Sequence, residues 1–362
     1  MKVAVLVYSD PDIRVLGSGF VSAENWNPVV EEKLSNLGLP LIIKKRIPPL
    51  LKLLSYEVFQ WKLDHIPILE NRSREPSIEY VWKDNGTINS FQTAKMYIQS
   101  ENNSLSSRFL MACAYWLEEE ANDLWRKLPE NDKSNLSSIS VIDPPQNRWK
   151  LAVKDWIELI KLGTTDWRQH SFSRPLSWYC RDSLVIQGNL LQQLSPHDQL
   201  GVFKGMMKDS ISTYVRSSYL SIMSAEQFEE VLKTEPLPVF IALCNWPYHI
   251  QFPERTERIF SLLSEKEFLH LLLEVICEKI GRDWKDCDYV ELLNGLWKRC
   301  PFSFKQYVEN SEFSDILNKA LKHDCDKPFR EQLSLIVGSK LDVYKEPSYS
   351  EIGASVVGIL FR

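Results

Sequence analysis

Between Leu105 and Leu128 apolar residues recur at Leu105, Phe109, Cys113, Trp116, Leu117, Ala121, Leu124, Trp125 and Leu128. Steps of three and four residues put these on one face of a helix or helix pair. Glu118, Glu119 and Glu120 interrupt the run and mark a bend or a solvated face, and Pro129 ends it. The same period returns from Arg148 to Leu162, where Trp149, Ala152, Trp156 and Ile160 are apolar and Gly163 is placed to cap the helix.

Before residue 100 the pattern is mixed. Val3 to Tyr8 reads as a short strand or a buried N-terminal segment. Pro28 opens a helical stretch that Gly38 closes, and Pro49 opens a second carrying Leu50, Leu53, Leu54, Val58, Trp61 and Leu63 on one side. Ile78 to Lys83, then Asp84-Asn85-Gly86, then Thr87 and Ile88, predicts a small β-hairpin, because Asn and Gly tolerate the positive φ of a tight turn.

In the C-terminal half, Ser224-Ala-Glu-Gln-Phe228 and Ser264-Glu-Lys-Glu-Phe268 each place Gln or Glu three residues after Ser. That is a capping box, in which two side chains satisfy orphan backbone N–H groups at a helix start. Ser195-Pro196 supplies another N-cap, and Ser311-Glu312-Phe313 opens a further helix. The spacing of these starts is similar to that of HEAT or armadillo helix pairs, of roughly 40–47 residues. No longer consensus joins the copies, so an irregular array is expected over a regular solenoid.

The predicted fold is therefore mainly α, with irregular stacked helix pairs (solenoid-like or a bundle) and a small β-hairpin in the N-terminal third. The expected organisation is an N-terminal region over 1–128, a linker-like stretch over 129–146 rich in Ser, Asn, Asp and Pro, a helical array over 147–345, and a tail over 346–362. The tail is apolar from Ile352 to Phe361 apart from Ser355 and its glycines, and reads as a buried final strand or docking segment, with a detachable partner-binding segment as the alternative.

Composition narrows the function classes. Across 362 residues, 44% are hydrophobic and 25% charged, which suits a packed chain over a disordered one. Twelve tryptophans offer large apolar area, and filling gaps between helices is their expected use. A net charge of −5 disfavours nucleic acid as a partner, since phosphate neutralisation needs a basic stripe. The densest basic run, Lys44-Lys45-Arg46, is too short for a phosphate track. No apolar run approaches the roughly 18 residues of a membrane helix, and the start lacks a signal-peptide pattern. Seven widely spaced cysteines suit reduced thiols, so the sequons at Asn71, Asn85, Asn102 and Asn135 are expected to be unused and the location cytoplasmic.

No stretch carries a chemical signature. His323 and Cys325, with Cys300, Cys287 and Cys277 upstream, lack the paired short spacings of a zinc site. Gly17-Ser-Gly19 lacks the remaining glycine and frame of a nucleotide loop. Cys244, five residues before His249, is the most suggestive nucleophile–base pair, yet it ends the apolar run Val239-Phe-Ile-Ala-Leu and reads as a buried, inert thiol. Glu118 to Glu120, Asp123, Glu229 and Glu230 read as solvated helix faces. No catalytic, cofactor-binding or metal-ligating residue is assigned, and no cofactor is expected.

The segment Arg108-Phe-Leu-Met-Ala-Cys-Ala-Tyr-Trp-Leu117, continuing to Leu124-Trp125 and preceded by Thr93-Ala94-Lys95 and the hairpin, resembles an uncharacterised helical protein family expanded in arachnids. The resemblance covers residues 78–128 and implies a helical, intracellular, lineage-expanded protein with no catalytic or binding residue to carry over. Function is then ranked by elimination. A non-catalytic protein-interaction or scaffold protein with a protein or peptide partner stands first. An enzyme whose site is assembled from scattered residues stands second, and an RNA-binding helical array third.

Overall fold

In a computed structural model, the described residues are 1–13, 23–69, 78–138, 148–163, 174–208, 213–252, 255–324 and 329. The chain forms two compact units, Met1–Gly205 and Met206–Arg362. Both are helical, and among the described residues there is no sheet.

The first unit contains α1 (Lys2–Tyr8), α2 (Ala23–Ser35), α3 (Leu41–His65), α4 (Ser90–Gln99), α5 (Leu105–Ala114), α6 (Glu118–Lys127), α7 (Glu130–Ser137) and α8 (Arg148–Lys161). The short helices α9 (Leu176–Tyr179), α10 (Ser183–Ile186) and α11 (Leu190–Gln193) follow, and α12 (Pro196–Lys208) spans the division between units. Val3 to Tyr8 is thus a helix, not a strand. Ala4, Val7 and Tyr8, at helical spacing, are buried as α1 packs on α3.

Helix α3 begins well before Pro49 and runs through both prolines. Its buried stripe is Ile47, Leu51, Leu54, Val58, Trp61 and His65, so the packed face starts ahead of the prolines. Proline here removes two helix donors. The carbonyls this releases belong to Lys44 and Lys45, on the more exposed end of the helix. Similarly, α2 passes through Pro28 instead of starting there.

The expected hairpin is absent. One antiparallel bridge, Trp82 to Ile88, closes a tight turn in which Gly86 has φ +85° and donates to the Lys83 carbonyl at 2.9 Å. The second arm cannot lengthen, because Asn89 caps α4 by accepting from the Gln92 N–H at 3.2 Å. The Val81 N–H meanwhile goes to Thr93 Oγ1 at 3.0 Å, a side-chain acceptor in place of a strand partner.

The apolar run from Leu105 to Leu128 folds as the helix pair α5–α6, joined by a tight corner. Leu117 N–H donates to the Ala112 carbonyl at 2.9 Å and Trp116 N–H to the Cys113 carbonyl at 3.1 Å, the two bonds of a Schellman closure. Trp116 takes the left-handed position with φ 55°, where glycine is usual. Its ring is buried, 5.2 Å from Trp156 and 6.3 Å from Tyr179, and this packing offsets the backbone cost. Glu118 to Glu120 form the first turn of α6, where carboxylates favour the helix dipole.

Helix α7 occupies the first part of the expected linker, while 139–147 lie outside the described residues. Beyond it, α8 packs on α5 and buries Trp149, Ala152 and Trp156, and Gly163 closes it with φ +68°. Trp61, Trp116, Trp125, Trp149 and Trp156 serve as core residues; Trp82, Trp178, Trp246, Trp284 and Trp297 are half-buried.

The second unit comprises α13 (Thr213–Leu220), α14 (Ala225–Thr234), α15 (Pro236–Leu243), a 3₁₀ turn (Tyr248–Gln251), α16 (Thr256–Leu262), α17 (Glu265–Glu274), a π-turn (Val275–Ile280), α18 (Tyr289–Arg299), α19 (Phe302–Glu309) and α20 (Ser314–Leu321). Helix α15 is apolar on every side, buries Val239 to Leu243, and packs on α13, α14, α16 and α17. Phe260, Phe268 and Phe304 meet edge to face at 5.4–5.7 Å beside it.

Both capping boxes form, at Ser224 with Gln227 and at Ser264 with Glu267. The Ser311 start is displaced, since α20 begins at Ser314. Ser264→Ala is expected to lower stability by about 1 kcal/mol. A urea unfolding midpoint unchanged from the parent would contradict that role.

Candidate functional site

The segment after α15 carries the Cys244–His249 pair. Cys244 ends the helix and is buried, and burial pushes its thiol well above the ordinary range. No hydrogen bond joins it to His249 among the described residues. The thiol is buried, as its apolar run predicts. What the segment does supply is Asn245, and Asn245 meets a residue that sequence reasoning passed over.

That residue is Lys279, on the π-turn after α17. Its Nζ donates to Asn245 Oδ1 at 2.5 Å, and the amide in turn donates to the Ile241 carbonyl at 2.9 Å. Two rings flank the amine, Trp284 with its centroid 5.5 Å away and Tyr289 at 5.6 Å. The Tyr289 hydroxyl lies 3.0 Å from Asp286 Oδ2 and 3.3 Å from the Cys244 carbonyl. Two buried polar atoms of this segment, His249 Nδ1 and Asp286 Oδ1, have no hydrogen-bond partner among the described residues. The His249 ring packs 5.2 Å from Trp246, next to the cis peptide before Pro247.

The electrostatics follow from burial. Burial holds Lys279 below the usual lysine range, against the opposing pull of Asp286, Cys244, Glu274 and Glu278. Burial also lowers His249, and it pushes Cys287 up to about 12 and Glu274 up to about 7. Among the described residues Lys279 forms no ion pair, and its hydrogen bond goes to a neutral amide. The arrangement can present an amine to a small polar group between two aromatic faces.

A second feature lies in the first unit. At the start of α3, Leu41 is 69% and Ile42 63% exposed, with Ile43 and the preceding Leu37 also open. Lys44, Lys45 and Arg46 come next, and Lys44 Nζ donates to the Ser35 carbonyl at 3.2 Å. Lys45 and Arg46 are exposed and, among the described residues, have no acidic partner. The first turn of this helix holds no acidic residue.

The other features singled out in the sequence do not gather here. Asp123 pairs with Lys127 at 2.6 Å, Glu229 with Arg258 at 2.7 Å and Glu230 with Lys233 at 2.9 Å. Gly17, Gly19, Cys325 and the tail over 346–362 lie outside the described residues. Among the described residues no group of three or more His, Cys, Asp or Glu side chains could hold a metal ion, and no helix is long and apolar enough to cross a membrane.

Comparison with protein-family models, with curated proteins and with solved structures finds no match to this chain.

Proposed function

We propose that this protein is a non-catalytic, cytoplasmic interaction protein that docks an acidic, aliphatic-bearing segment of a protein partner on the first turns of α3. The observation that carries this reading is the exposed triplet Leu41-Ile42-Ile43 beside Lys45 and Arg46, cations with no acidic partner among the described residues. Open aliphatic side chains at consecutive positions gain by being covered, at roughly 25 cal/mol per Å² of apolar area. Cations near a helix N-terminus oppose its dipole, a local cost that binding an anionic partner would offset. The charge also selects the occupant. A stable membrane anchor takes clusters of about 4–8 basic residues, whereas this run is shorter and the whole chain carries −5. The capped helices of the second unit, read as stacked pairs, would then serve as scaffold.

The test is selection of displayed peptides on the full chain, with the parent compared against a Leu41→Asp/Ile42→Asp double variant. Enriched peptides should combine acidic residues with at least two aliphatics. Their affinity should fall about tenfold or more in the variant, a loss of about 1.4 kcal/mol, and should weaken as salt rises. Peptides that bind both proteins equally would overturn the proposal, as would retention on phosphatidylserine vesicles without any peptide binding.

A second reading, an enzyme with a site assembled from scattered residues, is favoured by one observation. Asn245 meets Lys279 from 34 residues earlier in the chain, beside the Asp286–Tyr289 pair, and among the described residues no carboxylate pairs with that amine.

A further inference from the structure

We propose that the first unit carries a docking site for a phosphorylated side chain of a protein partner, built by Arg148 and Arg174 around the Trp178 ring. This goes beyond the docking surface of α3, uses other residues, and stands or falls separately.

The geometry starts from one indole. Trp178, on α9, has the Arg148 guanidinium 4.9 Å and the Arg174 guanidinium 5.6 Å from its ring centroid. Two cations are thereby held no farther apart than the sum of those distances, against their mutual repulsion. The ring quadrupole attracts each of them. Arg148 is fixed further by donating from a terminal nitrogen to the Arg181 carbonyl at 3.1 Å. A ring and a carbonyl orient a guanidinium without neutralising it. Arg148 is also the first residue of α8, so the positive end of that helix dipole adds to the same field. Two carboxylates of these elements bond inward instead. Buried Asp182 accepts from the Trp149 and Leu184 N–H groups at 3.2 and 3.0 Å, and buried Asp155 accepts from the Tyr179 hydroxyl.

The charge and shape of the arginine pair select the ligand. Planar guanidinium forks match phosphate oxygens two at a time. A phosphate monoester on a side chain carries about −1.5 to −2 at neutral pH, close to the charge that two arginines offset, whereas a carboxylate brings only one negative charge. The site is reachable, since Arg174 is exposed and Arg148 and Trp178 are half-buried. Arg174 can turn toward an arriving anion while Arg148 stays anchored. A seat at the surface suits a group presented on a macromolecule, because free small molecules bind in concave pockets that enclose them. Charge then favours a protein over a membrane. Two arginines fall short of the roughly 4–8 basic residues that read as a lipid-binding cluster, and the whole chain carries −5.

The experiment presents the full chain with a degenerate peptide library centred on phosphoserine or phosphotyrosine, beside the same library without phosphate. Selected peptides are then titrated by fluorescence anisotropy. Phosphorylated peptides should bind at least about tenfold more tightly than their unphosphorylated forms, as charge-assisted hydrogen bonds imply. Arg174→Ala should remove most of that difference. Arg174→Lys should restore only part of it, because an ammonium keeps the charge and loses the fork. Arg174 is exposed, so the far-UV circular dichroism of both variants should match the parent's. Equal binding of the two libraries would overturn the proposal. So would an Arg174→Ala chain that binds phosphopeptides like the parent, or retention on phosphatidic acid vesicles with no phosphopeptide binding.

Discussion

Gly188→Ala is expected to destabilise the first unit by about 3 kcal/mol or more, the upper range for overpacking. Gly188 lies in the turn between α10 and α11. A Cβ there would stand 2.6 Å from the Tyr115 carbonyl carbon and 2.7 Å from its Cα. These are backbone atoms, so no rotamer change relieves the clash. Tyr115 is itself fixed, because it caps α5 at the Schellman corner and its carbonyl accepts from the Asn189 N–H at 3.0 Å. Relief requires the turn to lift away from that corner, which would expose the buried Leu184, Val185 and Leu190. Gly201→Ala provides the opposite case. That glycine sits in α12 with nothing within 4 Å of a new Cβ. Alanine should stabilise there by up to about 1 kcal/mol through helix propensity. Urea unfolding of both variants followed by tryptophan fluorescence separates the signs, and a Gly188→Ala midpoint equal to the parent's would refute the steric argument.

The second large effect is acid sensitivity through His65. Its Nδ1 donates to the Trp61 carbonyl at 2.6 Å, so Nε2 is the acceptor for the Tyr115 hydroxyl at 2.7 Å. The ring stacks 3.8 Å from Trp61 in full burial. Burial holds it neutral, lowering its pKa to about 3 against the weaker opposing bond to Trp61. As pH falls below about 6.5 the unfolded chain takes up a proton that the folded chain refuses. The stability from this group is therefore complete above pH 6.5 and is lost as pH falls toward 3, by about 1.4 kcal/mol per unit.

Two buried carboxyls act in the opposite sense. Burial raises Asp182 to about 6, although it accepts from the Trp149 and Leu184 N–H groups, and raises Glu274 to about 7. Each keeps a proton in the folded state that the unfolded chain releases, so each lowers stability as pH rises from about 4 toward those values. A single-site comparison isolates the histidine. His65→Phe should be clearly less stable than the parent at pH 7, since it leaves the Trp61 carbonyl and Tyr115 hydroxyl without their partner. That gap should narrow by about 3 kcal/mol between pH 6.5 and 4. Stability curves that stay parallel across this range would show that His65 is not the titrating group.

The helical elements were legible where their cause is local. The stripe from Leu105 to Leu128, the boxes at Ser224 and Ser264, and the cap at Gly163 depend on residues a turn apart, and the structure has all of them. Errors arose where a local signal competed with packing. Asp84-Asn85-Gly86 does make a turn, but Asn89 is claimed by the next helix before a second strand can form. Pro49 reads as a helix start, yet the face from Ile47 to His65 stabilises a helix that runs through both Pro48 and Pro49. The corner at Trp116 escaped notice because no glycine marks it; its left-handed turn is held by contacts with Trp156 and Tyr179.

The chemistry was less legible than the fold. Cys244 and His249 drew notice as neighbours in the chain, whereas Lys279 and Tyr289 reach the same place from 34 residues beyond Asn245 and 45 beyond Cys244. The short basic run of α3 was legible in the sequence, but that Lys45 and Arg46 meet no acidic partner among the described residues is a property of the folded surface. By itself the sequence determined a helical protein, where many of its helices start and stop, and an acidic balance, because periodicity, capping and charge act over a few residues. Only the tertiary structure decided that His65 stays neutral, that Gly188 tolerates no side chain, and that Lys279 bonds to the Asn245 amide. Each of these depends on how much water and which backbone atoms distant segments leave around one side chain, and no local pattern encodes that.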